Sequence, residues 1–254
     1  MLSKNQLKNL AAYRLQKHCD DDGLFVVEGV KMCNEALLSG FTIRTICATA
    51  DYLNSTPVRN RIPLLSGSGC DIHEVTDDQL ERLSNQRTPN KVWMLLDRQP
   101  SLPCPATSSD LTLALDGLQD PGNMGTILRT ADWFGIRHVV CSVGTVSCYN
   151  PKVVQSTMGA IFRTKIDYCD LAEWLQQADD DGIATYGAML DGKPYHSVKM
   201  SRPAVLVIGN EGHGISEKVS SKVLHRLTIP NVGGTCESLN AAVAAAVLCA
   251  EFYR

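Results

Sequence analysis

Three times after residue 110, a short β-like run breaks into a polar, glycine-punctuated corner. The first corner reads Asp116-Gly117-Leu118-Gln119-Asp120-Pro121-Gly122-Asn123-Met124-Gly125, with Arg129 a little further on. The second is Gly209-Asn210-Glu211-Gly212-His213-Gly214, and the third runs from Ile229-Pro230 to Glu237-Ser238-Leu239-Asn240. The first and third lead directly into helix-like sequence. Strands that alternate with helices build a parallel sheet covered on both faces. Ligands of such sheets sit where strands turn into helices. Three unusual corners in one sheet therefore predict one composite site.

The strands expected around these corners are 111–116, 138–143, 164–168, 184–189, 204–209 and 226–229. Helices are expected over 125–134, 151–160, 171–177 and 237–253. Upstream, the pattern gives a helix from Lys4 to Lys17, a strand over 24–29, and a helix over 30–38 capped by Gly40. Strands follow at 45–49, 73–75 and 92–96, with a short helix opened by Thr76 and running to Leu83. Between the halves, Arg98 to Ser109 carries Pro100, Pro103 and Pro105 and no hydrophobic period. Proline fixes φ and removes a donor, so this stretch reads as a linker. The expected division is a small α/β domain over 1–98, a linker over 99–110 and an α/β domain over 111–254.

Composition excludes several classes. The chain has 254 residues, 44% hydrophobic and 20% charged, ordinary values for a globular protein. No apolar run approaches the roughly 18 residues that span a bilayer. The N-terminus lacks a secretory apolar core, so a cytoplasmic protein without a membrane partner is expected. Ten cysteines are scattered without CxxC spacing, which points to buried free thiols rather than disulfides or a metal knuckle. A formal net charge of −3 argues against bulk electrostatic capture of nucleic acid. Local patches differ: Lys4, Lys8, Arg14 and Lys17 precede any acid, and Arg82, Arg87, Lys91 and Arg98 form a second cluster. Each reads equally as an RNA contact or a solvated face.

At the first corner Pro121 presets φ and Gly122 supplies freedom, so Asn123 can cap the helix bearing Arg129. Arginine suits a phosphate or ribose site because its planar fork donates several bonds and stays charged. The second corner is neither GxGxxG nor a Walker loop, since Ile215 stands where lysine is needed. Its glycines bring backbone close to something, and Glu211 is its acid; His213 is read as incidental. At the third corner Ser238 is the natural N-cap, leaving Asn240 free for a role beyond the helix. A further word, Asn150 to Ala160 with Ser156, is explained by packing around Gly159 and Ala160.

These three words, in this order, closely resemble the motifs of the SpoU (TrmH) branch of the SPOUT RNA methyltransferases. The N-terminal words Leu7-Lys8-Asn9-Leu10 and Gly23 to Lys31 resemble the small substrate-binding domain, similar to ribosomal proteins, that many members carry. Two departures stand out. Cys19-Asp20-Asp21-Asp22 replaces a usually basic stretch. In the third motif Asn231 stands for methionine, Ala241-Ala242 for Val-Ser, and the loop has one additional residue. The resemblance implies a SPOUT domain with a C-terminal trefoil knot, which pattern alone would not give.

It also implies an S-adenosylmethionine-dependent enzyme, without a metal, that methylates a ribose 2′-hydroxyl in structured RNA, ribosomal RNA before transfer RNA. The implied catalytic set is Asn123, Arg129, Glu211, Ser238 and Asn240. Gly209, Ile229 and Leu239 would meet the cofactor, and Lys4, Lys8, Arg14 and Lys17 the RNA. A homodimer is implied as well. An arginine has been proposed as general base at the position of Arg129; its chemistry here favours holding phosphate and polarising the hydroxyl. Two other readings remain open at this point: a catalytically silent RNA-binding ribosome-assembly factor, and a dinucleotide oxidoreductase, for which no correctly spaced GxGxxG is present.

Overall fold

The structure is a computed structural model that describes residues 2–86, 88, 90–101, 105 and 110–254. Arg87 and most of the proline-rich linker, 102–104 and 106–109, lie outside the described residues. The chain forms two compact units: Met1–Pro100 with Tyr149–Phe162, and Ser101–Cys148 with Arg163–Arg254.

The first unit contains α1 (Lys4–Ala11), α2 (Gln16–Asp22), β1 (Leu24–Glu28), α3 (Val30–Leu38), β2 (Ile43–Ala48), α4 (Ala50–Leu53), α5 (Thr56–Arg59), α6 (Ile62–Gly67), β3 (Asp71–Glu74), α7 (Asp77–Leu83) and β4 (Val92–Asp97). Its sheet runs β1-β4-β2-β3, antiparallel except for the parallel β2–β3 pair. The expected single helix over Lys4–Lys17 is two helices. Leu15 leaves helical geometry (φ −90°, ψ 123°) after a 3₁₀ turn at Ala12–Arg14. The break lets Leu10, Ala11 and Tyr13 pack on the core of Leu7, Val26, Leu80, Leu83 and Trp93, while the Tyr13 hydroxyl donates to Asp22 at 2.7 Å. These side chains are only partly buried, and the apolar area they bury, at about 25 cal/mol per Å², offsets the lost helical bonds. The Thr76 helix forms as expected, with a capping box to Gln79. Ser39, not Gly40, ends α3.

The second unit begins with β5 (Leu111–Leu115), α8 (Pro121–Trp133) and β6 (His138–Ser142). The chain then passes through α9 (Pro151–Ser156), which groups with the first unit. It stops short of the expected Ala160 because Met158 and Gly159 take positive φ (51° and 100°). A Cβ on Gly159 would lie 2.9 Å from Glu35 Cγ, so close packing on the first unit's own Glu35 demands glycine there. The second unit resumes with β7 (Lys165–Cys169), α10 (Leu171–Asp180), β8 (Ala184–Pro194), β9 (Ala204–Ile208), α11 (Glu217–Ser220), β10 (His225–Thr228) and α12 (Ala241–Phe252).

Its six strands are all parallel, in the order β10-β8-β9-β5-β6-β7. The central strands β5 and β9 are buried at every position, as a sheet covered on both faces requires. Leu171, Trp174, Leu175 and Ala178 of α10 cover one face through Ala114, Val140, Val205 and Val207. The alternate residues Leu113, Leu115, Leu206 and Ile208 are equally buried, so the other face is covered too. α8 and α12 pack against each other. Among the described residues no helix is long and apolar enough to cross a membrane.

Candidate active site

Because every strand is parallel, the ends of β5, β9 and β10 share one edge of the sheet, and the three corners gather there. The first two are fastened by backbone and side chain. The Asp116 N–H donates to Ile208 O at 2.9 Å, and the Asp116 carboxylate accepts the Ser216 N–H at 2.8 Å. Asn210 pairs with Gly214 in an isolated bridge, N–H to O at 2.9 and 3.0 Å. A Cβ on Gly209 would fall 2.2 Å from the Gly214 carbonyl carbon, so only glycine permits this closure. The Asn210 amide then donates to Gly117 O at 2.7 Å while its oxygen accepts Gly212 and His213 N–H.

Glu211 is the latch between the corners. Its carboxylate accepts the Gln119 N–H at 3.3 Å, the Asp120 N–H at 3.1 Å and the Asn123 side-chain amide at 2.9 Å. The Asn123 oxygen in turn accepts the Asn240 amide at 2.8 Å, bringing in the third corner. Burial alone would raise the Glu211 carboxyl. The hydrogen bonds from Asn123 and from its own, Gln119 and Asp120 backbone N–H groups prevail and hold it below the usual carboxylate range. A carboxylate taken up by so many donors organises a site better than it accepts a proton.

Two expected roles change. Asp120, not Asn123, caps α8: its carboxylate accepts the Asn123 N–H at 2.7 Å, and Pro121 opens the helix four residues before the expected start. Asn123 is thereby placed inside the first turn, with its amide free for Glu211. Likewise Asn240, not Ser238, caps α12, accepting Ala242 and Val243 N–H at 2.9 and 3.3 Å. Asn240 thus combines the cap with its bond to Asn123. Ser238 stands exposed before the helix and makes no side-chain hydrogen bond with a described residue.

Arg129 lies on the exposed face of α8, two helical turns from the cap, and makes no ion pair or hydrogen bond with any described side chain. Gly209 follows β9 and half-buried Ile229 follows β10. Leu239 is 50% exposed just before α12. Apolar side chains such as Ile229 and Leu239 beside these glycine-rich loops suit a flat heteroaromatic ligand with a polar tail. Sequence reasoning missed Asn210, Gln119 and Asp116 as organisers. The signal available was an amide or acid within four residues of a strand's end, a position that can tie one loop to the next.

In the first unit Lys4, Lys8, Arg14 and Lys17 are all exposed, and none forms an ion pair with a described residue. The second basic cluster is different. Arg82 meets Asp78 at 3.4 Å, Lys91 meets Asp51 at 4.0 Å, and Arg98 bonds Asp20 and lies 5.2 Å from the Tyr149 ring centroid.

A parallel sheet with three cross-linked polar corners at its C-terminal edge defines an α/β protein whose candidate site lies at that edge. The profile of the SpoU rRNA Methylase family matches residues 110–250, and that of the MRM3-like substrate binding domain matches residues 4–93. The 23S rRNA (guanosine(2553)-2′-O)-methyltransferase RlmP of Bacillus subtilis is 29% identical over 97% of this chain and 95% of its own. A solved TrmH-family structure from Porphyromonas gingivalis is 40% identical, covering 99% of this chain and 98% of that one, with a TM-score of 0.87. The SpoU methyltransferase AviRb from Streptomyces viridochromogenes, solved with AdoMet, shares the fold at a TM-score of 0.84 and 23% identity, over 98% and 97% of the two chains. The chain belongs to the SpoU rRNA Methylase family and is an RNA methyltransferase that uses S-adenosylmethionine.

Proposed function

We propose that the protein methylates a ribose 2′-hydroxyl of structured RNA in the cytoplasm, with ribosomal RNA favoured over transfer RNA. What carries the reading is the bond chain Asn240–Asn123–Glu211, which joins all three corners and leaves Arg129, on the same helix as Asn123, unengaged. S-adenosylmethionine supplies a methyl group on a good leaving group. The protein must then align the attacking oxygen and remove its proton. Alignment alone is worth roughly 7–11 kcal/mol in favourable cases.

In this reading Arg129 holds the phosphate beside the target ribose and polarises the hydroxyl, and the proton passes to phosphate or water. Glu211, Asn123 and Asn240 fix the corners around it, and Ser238, free of other partners, contacts the substrate. Gly209, Ile229 and Leu239 meet the cofactor. Lys4, Lys8, Arg14 and Lys17 bind RNA from a substrate-binding domain of residues 1–98, ahead of a catalytic domain of 111–254 whose segment Tyr149–Phe162 groups with the first unit.

A homodimer is part of the proposal. α12 is made of alanine, valine and other apolar residues almost throughout, yet Val243 is 48% exposed, and Trp133 on neighbouring α8 is 85% exposed. So is a trefoil knot after β9. The chain leaves β9 in mid-sheet and returns at the β10 edge, a crossover that suits it. The test is incubation with methyl-labelled S-adenosylmethionine and RNA from a strain lacking the gene, followed by nuclease digestion. Label in a 2′-O-methylnucleoside from ribosomal RNA is expected. Label confined to a base, or to transfer RNA, overturns the corresponding part.

A further inference from the structure

The catalytic unit has a second group of unengaged cations. Of its arginines and lysines, Arg137, Arg163, Lys165, Arg202, Lys218, Arg226 and Arg254 are in ion pairs, and Lys222 donates to Gln176. Among the described residues, only the side chains of Arg129, Lys193 and Lys199 have neither an ion pair nor a hydrogen bond. Lys193 and Lys199 flank a 3₁₀ turn, Tyr195–Ser197, that leaves the end of β8. From Gly192 to Asn210 the sequence holds Lys193, His196, Lys199 and Arg202 and no acid. The nearest acid before it, Asp191, is neutralised by Arg226 at 2.5 Å.

The register places this turn beside the site. Pro194 pairs with Thr228, the residue before Ile229, and Lys193 pairs with Leu227. The turn also packs on α12, the helix that α8 and its Arg129 flank. It is not a slack loop. The Ser197 hydroxyl donates to Pro194 O at 2.7 Å, and the Val198 N–H donates to Tyr195 O at 3.2 Å. The rings of Tyr195 and His196 are thereby held 5.4 Å apart at 83°. Free lysines are ordinarily just solvated. Here they bracket two oriented rings on a fixed turn, at the edge of the sheet that carries the three corners, in a protein whose total charge is negative.

We infer that the 193–199 turn is a second RNA contact: Lys193 and Lys199 meet phosphates flanking the target nucleotide, and Tyr195 stacks on an adjacent unpaired base, with the His196 ring set edge-on to it. The pairing of backbone charge with base stacking is how single strands are gripped without sequence readout. The inference rests on the proposed action on RNA.

The test compares the full-length protein with Lys193→Gln/Lys199→Gln, Tyr195→Ala and Tyr195→Phe. Three quantities are read: the KM for RNA, kcat, and the slope of log affinity against log salt. Cofactor binding by calorimetry checks that each variant is folded. The double lysine variant should raise the RNA KM roughly tenfold at unchanged kcat, and flatten the salt slope by about 1.4 for two single-strand phosphates. Tyr195→Ala should raise KM several-fold with no change of slope, and Tyr195→Phe should restore it. A wild-type KM and slope in the double variant, while the wild-type enzyme methylates RNA, overturns this inference and leaves the functional reading standing. A wild-type protein that binds no RNA overturns both.

Discussion

The first two corners of the site and the third are built to different standards. Between Asp116 and Asn123 on one side and Gly209 to Ser216 on the other, five of the hydrogen bonds given above fasten the two loops together. From Asn231 to Leu239, by contrast, every residue is exposed, and local order comes from one side chain. Asn231 accepts Gly233 and Gly234 N–H and donates to Gly234 and Cys236 carbonyls. Only at Asn240 does the third corner tie into the rest. The difference teaches that the two halves can do different work. A preformed half fixes reacting geometry, whereas an open half can close over a ligand whose binding supplies the missing contacts.

Substitutions on the two sides should therefore fail differently. Gly209→Ala should be the most damaging to folding, because its methyl would overlap the Gly214 backbone. A loss at or above the upper end of the roughly 1–3 kcal/mol of overpacking is expected in denaturant melts, with cofactor binding abolished. A melt within experimental error of wild type would show that the corners are not closed as described.

Glu211→Gln sharpens the comparison. It removes one acceptor facing several donors and should destabilise by about 1–2 kcal/mol. The wild-type protein should also show a matching pH dependence. The Glu211 carboxyl sits below its ordinary value when folded, so its contribution is present above the unfolded value of about 4.3. It is lost as pH falls through the folded value. The Glu211→Gln protein should lack that component of acid destabilisation, and an identical acid limb in both proteins would remove the latch.

Asn240→Ala should be milder for stability, about 1 kcal/mol for the cap, and clearly harmful to activity through Asn123. Ser238→Ala, two residues away, should leave the melting temperature unchanged, since nothing described depends on that hydroxyl for folding. Equal melting losses in the two variants would restore Ser238 as a cap. Leu239→Ala should be the smallest structural change of all and should still weaken cofactor binding several-fold by calorimetry, because Leu239 is one of the residues proposed to meet the cofactor.

The parallel sheet was legible because its central strands are short, nearly continuous apolar runs, such as Ala204–Ile208, that end in polar corners. The gathering of the corners was legible for the same reason. Which residue caps and which reaches across was not. Asp120 and Asn123, or Ser238 and Asn240, are all competent N-caps within a few residues of each other. Only the position of Glu211, far away in sequence, decides between the first two. The three short helices Ala50–Leu53, Thr56–Arg59 and Ile62–Gly67 escaped because single turns carry no hydrophobic period. That Tyr149–Phe162 groups with the first unit depends on contacts such as Gly159 against Glu35, which no local pattern encodes.

The most direct measurement is methyl transfer from labelled S-adenosylmethionine to the RNA substrate by Arg129→Ala and Arg129→Lys, with cofactor binding followed in parallel. The preformed half leaves this arginine without a side-chain partner among the described residues, and its proposed role is to meet substrate with its fork. Arg129→Ala should nearly abolish transfer while cofactor affinity stays within a few fold. Arg129→Lys keeps a charge but loses the paired donors, and should fall on the order of 10²–10³-fold. A near wild-type rate for Arg129→Ala would contradict the account.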